Sequence, residues 1–180
     1  NVGAIYVFEK VENNWSQVQK LTPPSNYLDF DSSFGVEFSV SGTTIAVSQP
    51  NCSLNNCGYD GVVHIYSKNN GIWELVQTIN DPLNNSNADF GSKLALSGNN
   101  LLVRSYSENQ DQKVYYYKRE SNGNWSYEAD VWGSRTFGFR QTYFDYGYGD
   151  NIELMNDIAL ITSSSSVRYG GSRAPLAYLF

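Results

Sequence analysis

The sequence predicts an all-β fold built from a repeated four-stranded unit, on three observations: composition, two-residue alternation in short apolar runs, and an internal repeat. Aromatic residues make up 15% of the chain, carried largely by 14 Tyr and 9 Phe, with a single Met. Together with many Val, Ile, Ser, Thr and Asn, these side chains favour pleated surfaces and turns over helices. At 180 residues the chain is long enough for a core, and neither its charge nor its Pro and Gly content marks disorder.

The repeat is read residue by residue. Gly3-Ala-Ile-Tyr-Val-Phe8 aligns with Gly61-Val-Val-His-Ile-Tyr66, with Lys113-Val-Tyr-Tyr-Tyr117, and with Ala174-Pro-Leu-Ala-Tyr-Leu-Phe180. The columns run through Ile5, Val63, Val114 and Ala177; Tyr6, His64, Tyr115 and Tyr178; Val7, Ile65, Tyr116 and Leu179; and Phe8, Tyr66, Tyr117 and Phe180. Their spacings of 58, 51 and 63 residues drift only as loop insertions allow. After each of the first three copies comes a polar turn and then Trp15, Trp73 or Trp125, with Leu21, Ile79 or Val131 at a constant distance beyond. That is a hairpin with a second strand of fixed length.

A second pattern follows each hairpin. Phe34-Gly35 leads through Val-Ser-Gly42 into Ile45-Ala-Val47, and Phe90-Gly91 leads through Leu-Ser-Gly98 into Leu101-Leu-Val103. In the third copy Tyr146-Gly-Tyr-Gly149 precedes Ile152–Ile161, and an insertion between Trp132 and Tyr148 is expected to break the common register. The repeats span approximately 3–33, 34–89, 90–145 and 146–180, the first and last partial, within one region covering 1–180.

Four antiparallel strands per unit make the blade of a β-propeller. In Ile5-Tyr-Val-Phe8 both the odd and the even side chains are apolar or aromatic, which predicts a sheet covered on both faces by neighbouring blades. About thirteen strands give a little over three blades, too few for an ordinary ring. The expectation is therefore either a segment of a larger protein or a chain whose open edges other copies or chains cover. The absence of an initiating Met and of a signal-like segment fits a chain cut from something longer or processed. The rival is a β-trefoil, which also has three repeats of four strands, although doubly apolar strands suit it less.

Phe34-Gly35, Gly3-Ala-Ile-Tyr-Val-Phe8, and Trp15 with Gln19-Lys20-Leu21 resemble the FG-GAP repeats of integrin-α-like propellers. The likeness extends over nearly the whole chain and is clearest in the first two repeats. The resemblance implies a propeller commonly built from about seven four-stranded blades.

Charge and cysteine usage narrow the setting. A net charge of -6 and twelve scattered Lys and Arg supply no basic face for nucleic acid. No stretch approaches the ~20 apolar residues of a membrane span, so no membrane insertion is expected. Cys52 and Cys57 are spaced to close a small disulfide loop, and Asn14, Asn51, Asn84 and Asn124 open Asn-X-Ser glycosylation sequons in polar turns. Together they predict an oxidising, secretory route and an extracellular or cell-surface location.

Chemistry is sparsely written. His64, the single His, stands in a Tyr column mid-strand and reads as a packed residue rather than part of a Ser/His/Asp system. Asp29 with Asp31, or Asp145 with Asp150, could pair as glycosidase acids but read as turn formers. Integrin FG-GAP repeats often carry an Asp-x-Asp-x-Asp-Gly calcium loop, and Asp60-Gly61 keeps only its end, so no cofactor is expected and calcium is a weak candidate. The aromatic run Tyr143, Phe144, Tyr146 and Tyr148, with Trp132, Arg135 and Arg140, is the candidate binding surface. The function expected is a non-catalytic scaffold for protein interaction, adhesion or assembly. The alternative is a glycan-binding propeller or an accessory domain of a secreted hydrolase.

Overall fold

A computed structural model describes residues 2–28, 33–50, 61–83, 89–106, 112–131, 148–163 and 176–179; of Ser163 and the last four it describes only the backbone. Among these residues the chain is all-β, with one 3-10 turn at Ser25–Tyr27 and no α-helix. A first sheet pairs β1 (Ile5–Val11) with β2 (Asn14–Leu21). The second holds β3 (Phe38–Ser41), β4 (Thr44–Gln49), β5 (Val62–Asn69) and β6 (Ile72–Asn80). The third holds β7 (Lys93–Ser97), β8 (Asn100–Ser105), β9 (Lys113–Arg119) and β10 (Trp125–Val131). The fourth holds β11 (Tyr148–Met155), β12 (Ile158–Ser163) and β13 (Leu176–Leu179). Every pairing is antiparallel between consecutive strands, so each sheet is a simple meander.

The registers reproduce the sequence columns. Ile5 faces Leu21, Val63 faces Ile79 and Val114 faces Val131 across the hairpin, while Trp15, Trp73 and Trp125 face Lys10, Lys68 and Arg119. All three hairpins slip at the same place, leaving Val18, Val76 and Glu128 as the extra residue of a β-bulge. The four copies of the recurring strand, β1, β5, β9 and β13, lie in four different sheets. They do not line a shared barrel, as a trefoil would require.

The third copy corrects the expectation of a broken register. Tyr148-Gly149, not Tyr146-Gly147, takes the Phe-Gly place: Gly149 has the positive φ of Gly35 and Gly91, and Tyr148 is buried like Phe34 and Phe90. From that start Ile152 opposes Ile161 as Phe38 opposes Val47 and Leu94 opposes Val103, one register throughout.

The sheets stack face to face in chain order through three apolar layers. Leu21, with Ile5 and Val7 packed against it, meets Phe34, Ile45, Val47, Tyr66 and Trp73 of the second repeat. The opposite face of that sheet, Ala46, Val63, Ile65 and Ile79, meets Phe90, Leu94, Leu101, Val103, Tyr115 and Trp125. The third sheet then presents Ala95, Leu102 and Val114 to Tyr148, Ile152, Ala159 and Ile161. Each inner sheet is therefore buried on both faces, and β5 is buried from Val62 through Tyr66. We call the face turned to the preceding sheet backward and the other forward.

The ends of the stack correct the doubly buried reading of β1. Ile5 and Val7 on its forward face are partly buried, whereas Tyr6 and Phe8 on its backward face are about half exposed, with no sheet packed against them among the described residues. Among the described residues the first sheet also has no counterparts of β3 and β4. Phe38 on β3 is accordingly 58% exposed, whereas its counterparts Leu94 and Ile152 are 8% and 5% exposed.

Candidate functional site: the interfaces and uncovered faces of the stack

Each motif residue of the repeat has its use at a boundary between sheets. Gly35, Gly91 and Gly149 have φ of 82°, 90° and 77°, a region side chains avoid. A Cβ there would lie 2.9 Å from Ile5, 3.1 Å from Val63 and 2.8 Å from Val114, the first column of the preceding sheet. Gly3 and Gly61 answer from the other side: a Cβ on them would meet the carbonyl oxygens of Phe34 and Phe90 at 1.9 and 2.6 Å. Phe-Gly and the Gly that opens the recurring strand are thus two halves of one close contact.

Polar groups repeat in the same way. Gln19 donates to the Trp73 carbonyl and accepts from its N–H, both at 2.8 Å, and Gln77 does the same for Trp125 at 2.9 and 2.7 Å. Those backbone groups belong to β6 and β10, the edge strands of their sheets among the described residues. Ser41 and Ser97 accept the N–H of Gly98 and Asn156, the turn residues of the next sheet, at 3.0 and 2.9 Å. Ion pairs Glu9–Lys68 and Glu37–Lys93 each join one sheet to the next.

Two buried polar clusters hold the linkers between sheets. Gln49 donates to the Tyr27 carbonyl at 2.8 Å, which leaves its oxygen to accept from His64 Nε2 at 3.0 Å, so Nδ1 accepts from the Thr78 hydroxyl at 2.9 Å. Burial drives the His64 pKa down to about 4, so the ring is neutral near pH 7 and locked as a core residue. In the next repeat Ser105 and Tyr115 take the places of Gln49 and His64, and both donate to Asp81 in the linker, at 3.1 and 3.3 Å. Burial raises the Asp81 pKa, while the Leu83 N–H, those two hydroxyls and Lys113 oppose it. Arg104 crosses to the fourth sheet, donating to the Tyr148 carbonyl, to Gln112 and to Asp150.

The sequence-predicted surface does not assemble within the described residues. Trp132, Arg135, Arg140, Tyr143, Phe144 and Tyr146 lie outside them, as do Cys52, Cys57, Asn51, Asn84, Asp29, Asp31, Asp60 and Asp145. Tyr148 is a correction: it is buried, and its hydroxyl donates to the Val131 carbonyl, so it fills the third layer and offers no contact surface. Asp150 pairs with Arg104, and Gly61 serves the close contact with Phe90. Asn14 and Asn124 are exposed at hairpin turns, where a glycan would meet no neighbour strand. Among the described residues no three His, Cys, Asp or Glu side chains are grouped to hold a metal ion, and no helix is long and apolar enough to cross a membrane.

What remains open is the backward face of the first sheet. Tyr6, Phe8 and Trp15 are exposed on it, with Lys20 Nζ 5.5 Å from the Tyr6 ring centroid. Trp15 is 69% exposed, whereas Trp73 and Trp125 are 7% and 4% exposed. Sequence columns alone give no sign of this, because they equate the three tryptophans. A cleft of about 430 Å³ between the third and fourth sheets, walled by Tyr116, Val131, Leu154 and Asp157, has a similar origin: the fourth sheet has no strand equivalent to β6 or β10 among the described residues.

No protein-family model and no curated protein matches this chain. The three repeated boundaries therefore carry the functional reading on their own.

Proposed function

We infer that the chain is part of a β-propeller of the FG-GAP kind and acts as a non-catalytic, extracellular scaffold for protein interaction or assembly. The observation that carries this reading is the recurrence of one interface design between consecutive sheets. Meander sheets of up to four strands, joined by equivalent glycines at all three boundaries and by equivalent glutamines and serines at two each, are what a radial stack of blades requires. Stacking alone is shared with a linear pile, and the radial arrangement is the part that awaits measurement. Electron microscopy of the chain within its longest natural polypeptide tests it: sheets arranged about a central axis support the propeller, and a straight or helical pile overturns it.

A binding role is supported by where the chemistry is not spent. His64 is buried and neutral, Asp81 is enclosed by donors, and Tyr6, Phe8 and Trp15 are exposed together on one face of the first sheet. Exposed aromatics also stack on sugars, so a glycan array belongs beside a protein-interaction screen; saturable sugar binding lost in Trp15→Ala would favour the lectin reading. The extracellular assignment is supported by the exposed sequons at Asn14 and Asn124. Expression through a eukaryotic secretory pathway should give a product whose mass falls on treatment with an endoglycosidase. An unmodified secreted product would remove that support.

A further inference from the structure

Asn70-Gly71 and Asn122-Gly123 are the two Asn-Gly pairs of the chain, and both asparagines are exposed at the tips of hairpins, β5–β6 and β9–β10. Asparagine before glycine is chemically labile, because glycine has no Cβ to keep its backbone nitrogen away from the side-chain amide carbon. A Cβ at Gly71 would meet nothing within 4 Å, and one at Gly123 only an Arg119 guanidinium nitrogen at 3.9 Å, so neither tip is crowded. The two turns differ in what their backbones allow. Asn70 and Gly71, with φ of 49° and 85°, form a left-handed two-residue turn between the paired Asn69 and Ile72. A five-membered imide fixes the ψ of its asparagine far from the left-handed value, so closing one at Asn70 would break that pairing. Asn122 is not left-handed and lies in the longer turn 120–124 between Arg119 and Trp125. Its Oδ1 accepts from the Asn124 N–H at 2.9 Å, which folds the side chain forward across Gly123 and draws electrons from the amide carbon.

We propose that Asn122 is a site of spontaneous deamidation in the folded protein, with Gly123 supplying the attacking nitrogen. The Gly123 N–H first leaves the Glu120 carbonyl, to which it donates at 2.9 Å. It loses its proton to water, the nitrogen bonds to Cγ of Asn122, and the Cγ–Nδ2 bond breaks. The departing nitrogen takes up a proton and leaves as ammonia. Water then opens the imide at either carbonyl. Opening at one gives an ordinary aspartate, whose carboxylate still accepts the Asn124 N–H. Opening at the other gives isoaspartate, which carries the main chain through the former side chain, lengthens the turn by one carbon and gives up that bond. Either product adds a negative charge beside Glu120 and two residues before Asn124, so the hairpin tip that holds the sequon changes with the age of the protein.

Peptide mapping by mass spectrometry tests it, after incubation at mildly alkaline pH of the folded chain and of the chain unfolded in guanidinium chloride. Enzymatic methylation of isoaspartate identifies the second product. Unfolding removes both turns and leaves two asparagines that differ only in sequence, so Asn70 is the internal reference. The rate at Asn122 relative to that at Asn70 should rise several-fold on folding, with isoaspartate and aspartate both found at position 122. A ratio that stays the same or falls on folding, or an Asn122 that remains intact in the folded chain while the unfolded chain reacts, would each overturn the proposal.

Discussion

Gly91 and Gly98 sit a few residues apart with positive φ of 90° and 58°, yet only Gly91 is crowded: a Cβ there meets Ser48 at 3.0 Å and Val63 at 3.1 Å, and at Gly98 it meets nothing within 4 Å. Gly98→Ala should therefore cost about 1 kcal/mol, the backbone penalty alone, and Gly91→Ala at least about 2 kcal/mol, because the third sheet must move off the second. Urea unfolding of the two variants measures the difference. His64 gives a second prediction. Its folded pKa of about 4 lies below the ordinary value of 6.5, so the unfolded chain binds the proton first as pH falls. The stability held above pH 6.5 is lost between about 6.5 and 4, to an extent of about 3 kcal/mol. His64→Gln should be flatter over that window than the parent when unfolding is followed against pH. Asp81 works in the opposite sense, since its raised pKa favours the folded state at low pH, so the comparison with His64→Gln is what isolates the histidine.

Among the elements, the three hairpins share register and bulge but differ in what covers them, and the tryptophans report that difference. Trp73→Ala and Trp125→Ala should each cost about 3–5 kcal/mol, whereas Trp15→Ala in the monomer should cost under about 1 kcal/mol, by thermal or urea unfolding. Equal costs would mean that the first hairpin is covered. The strands themselves were legible because alternation and turn residues specify them locally: Trp, a fixed interval and an apolar residue defined the second strand of each hairpin. Where the last repeat begins was not legible because Tyr146-Gly147 and Tyr148-Gly149 are equivalent as letters. Only the packing of Gly149 against Val114 and of Tyr148 into the third layer decides between them. The roles of Gln19, Gln77, Ser41 and Ser97 were not legible either, since each bonds to a different sheet and leaves no local pattern.

For the whole molecule, the doubly apolar strands predicted a stack, and the inner sheets are covered on both faces for that reason. The same alternation was uninformative at the ends. Ile5-Tyr-Val-Phe8 has the letters of an inner strand, yet Tyr6 and Phe8 are exposed, with no sheet against them among the described residues. The binding surface was legible least, because most of the aromatic run chosen for it lies outside the described residues and Tyr148 is core. The central claim is that each Phe-Gly glycine lies against the first column of the sheet before it. Nuclear Overhauser contacts between methyl groups and glycine Hα protons test it most directly. Cross-peaks from Ile5 to Gly35, Val63 to Gly91 and Val114 to Gly149 are the predicted result; their absence, with cross-peaks instead among Ile5, Val63 and Val114 themselves, would contradict it.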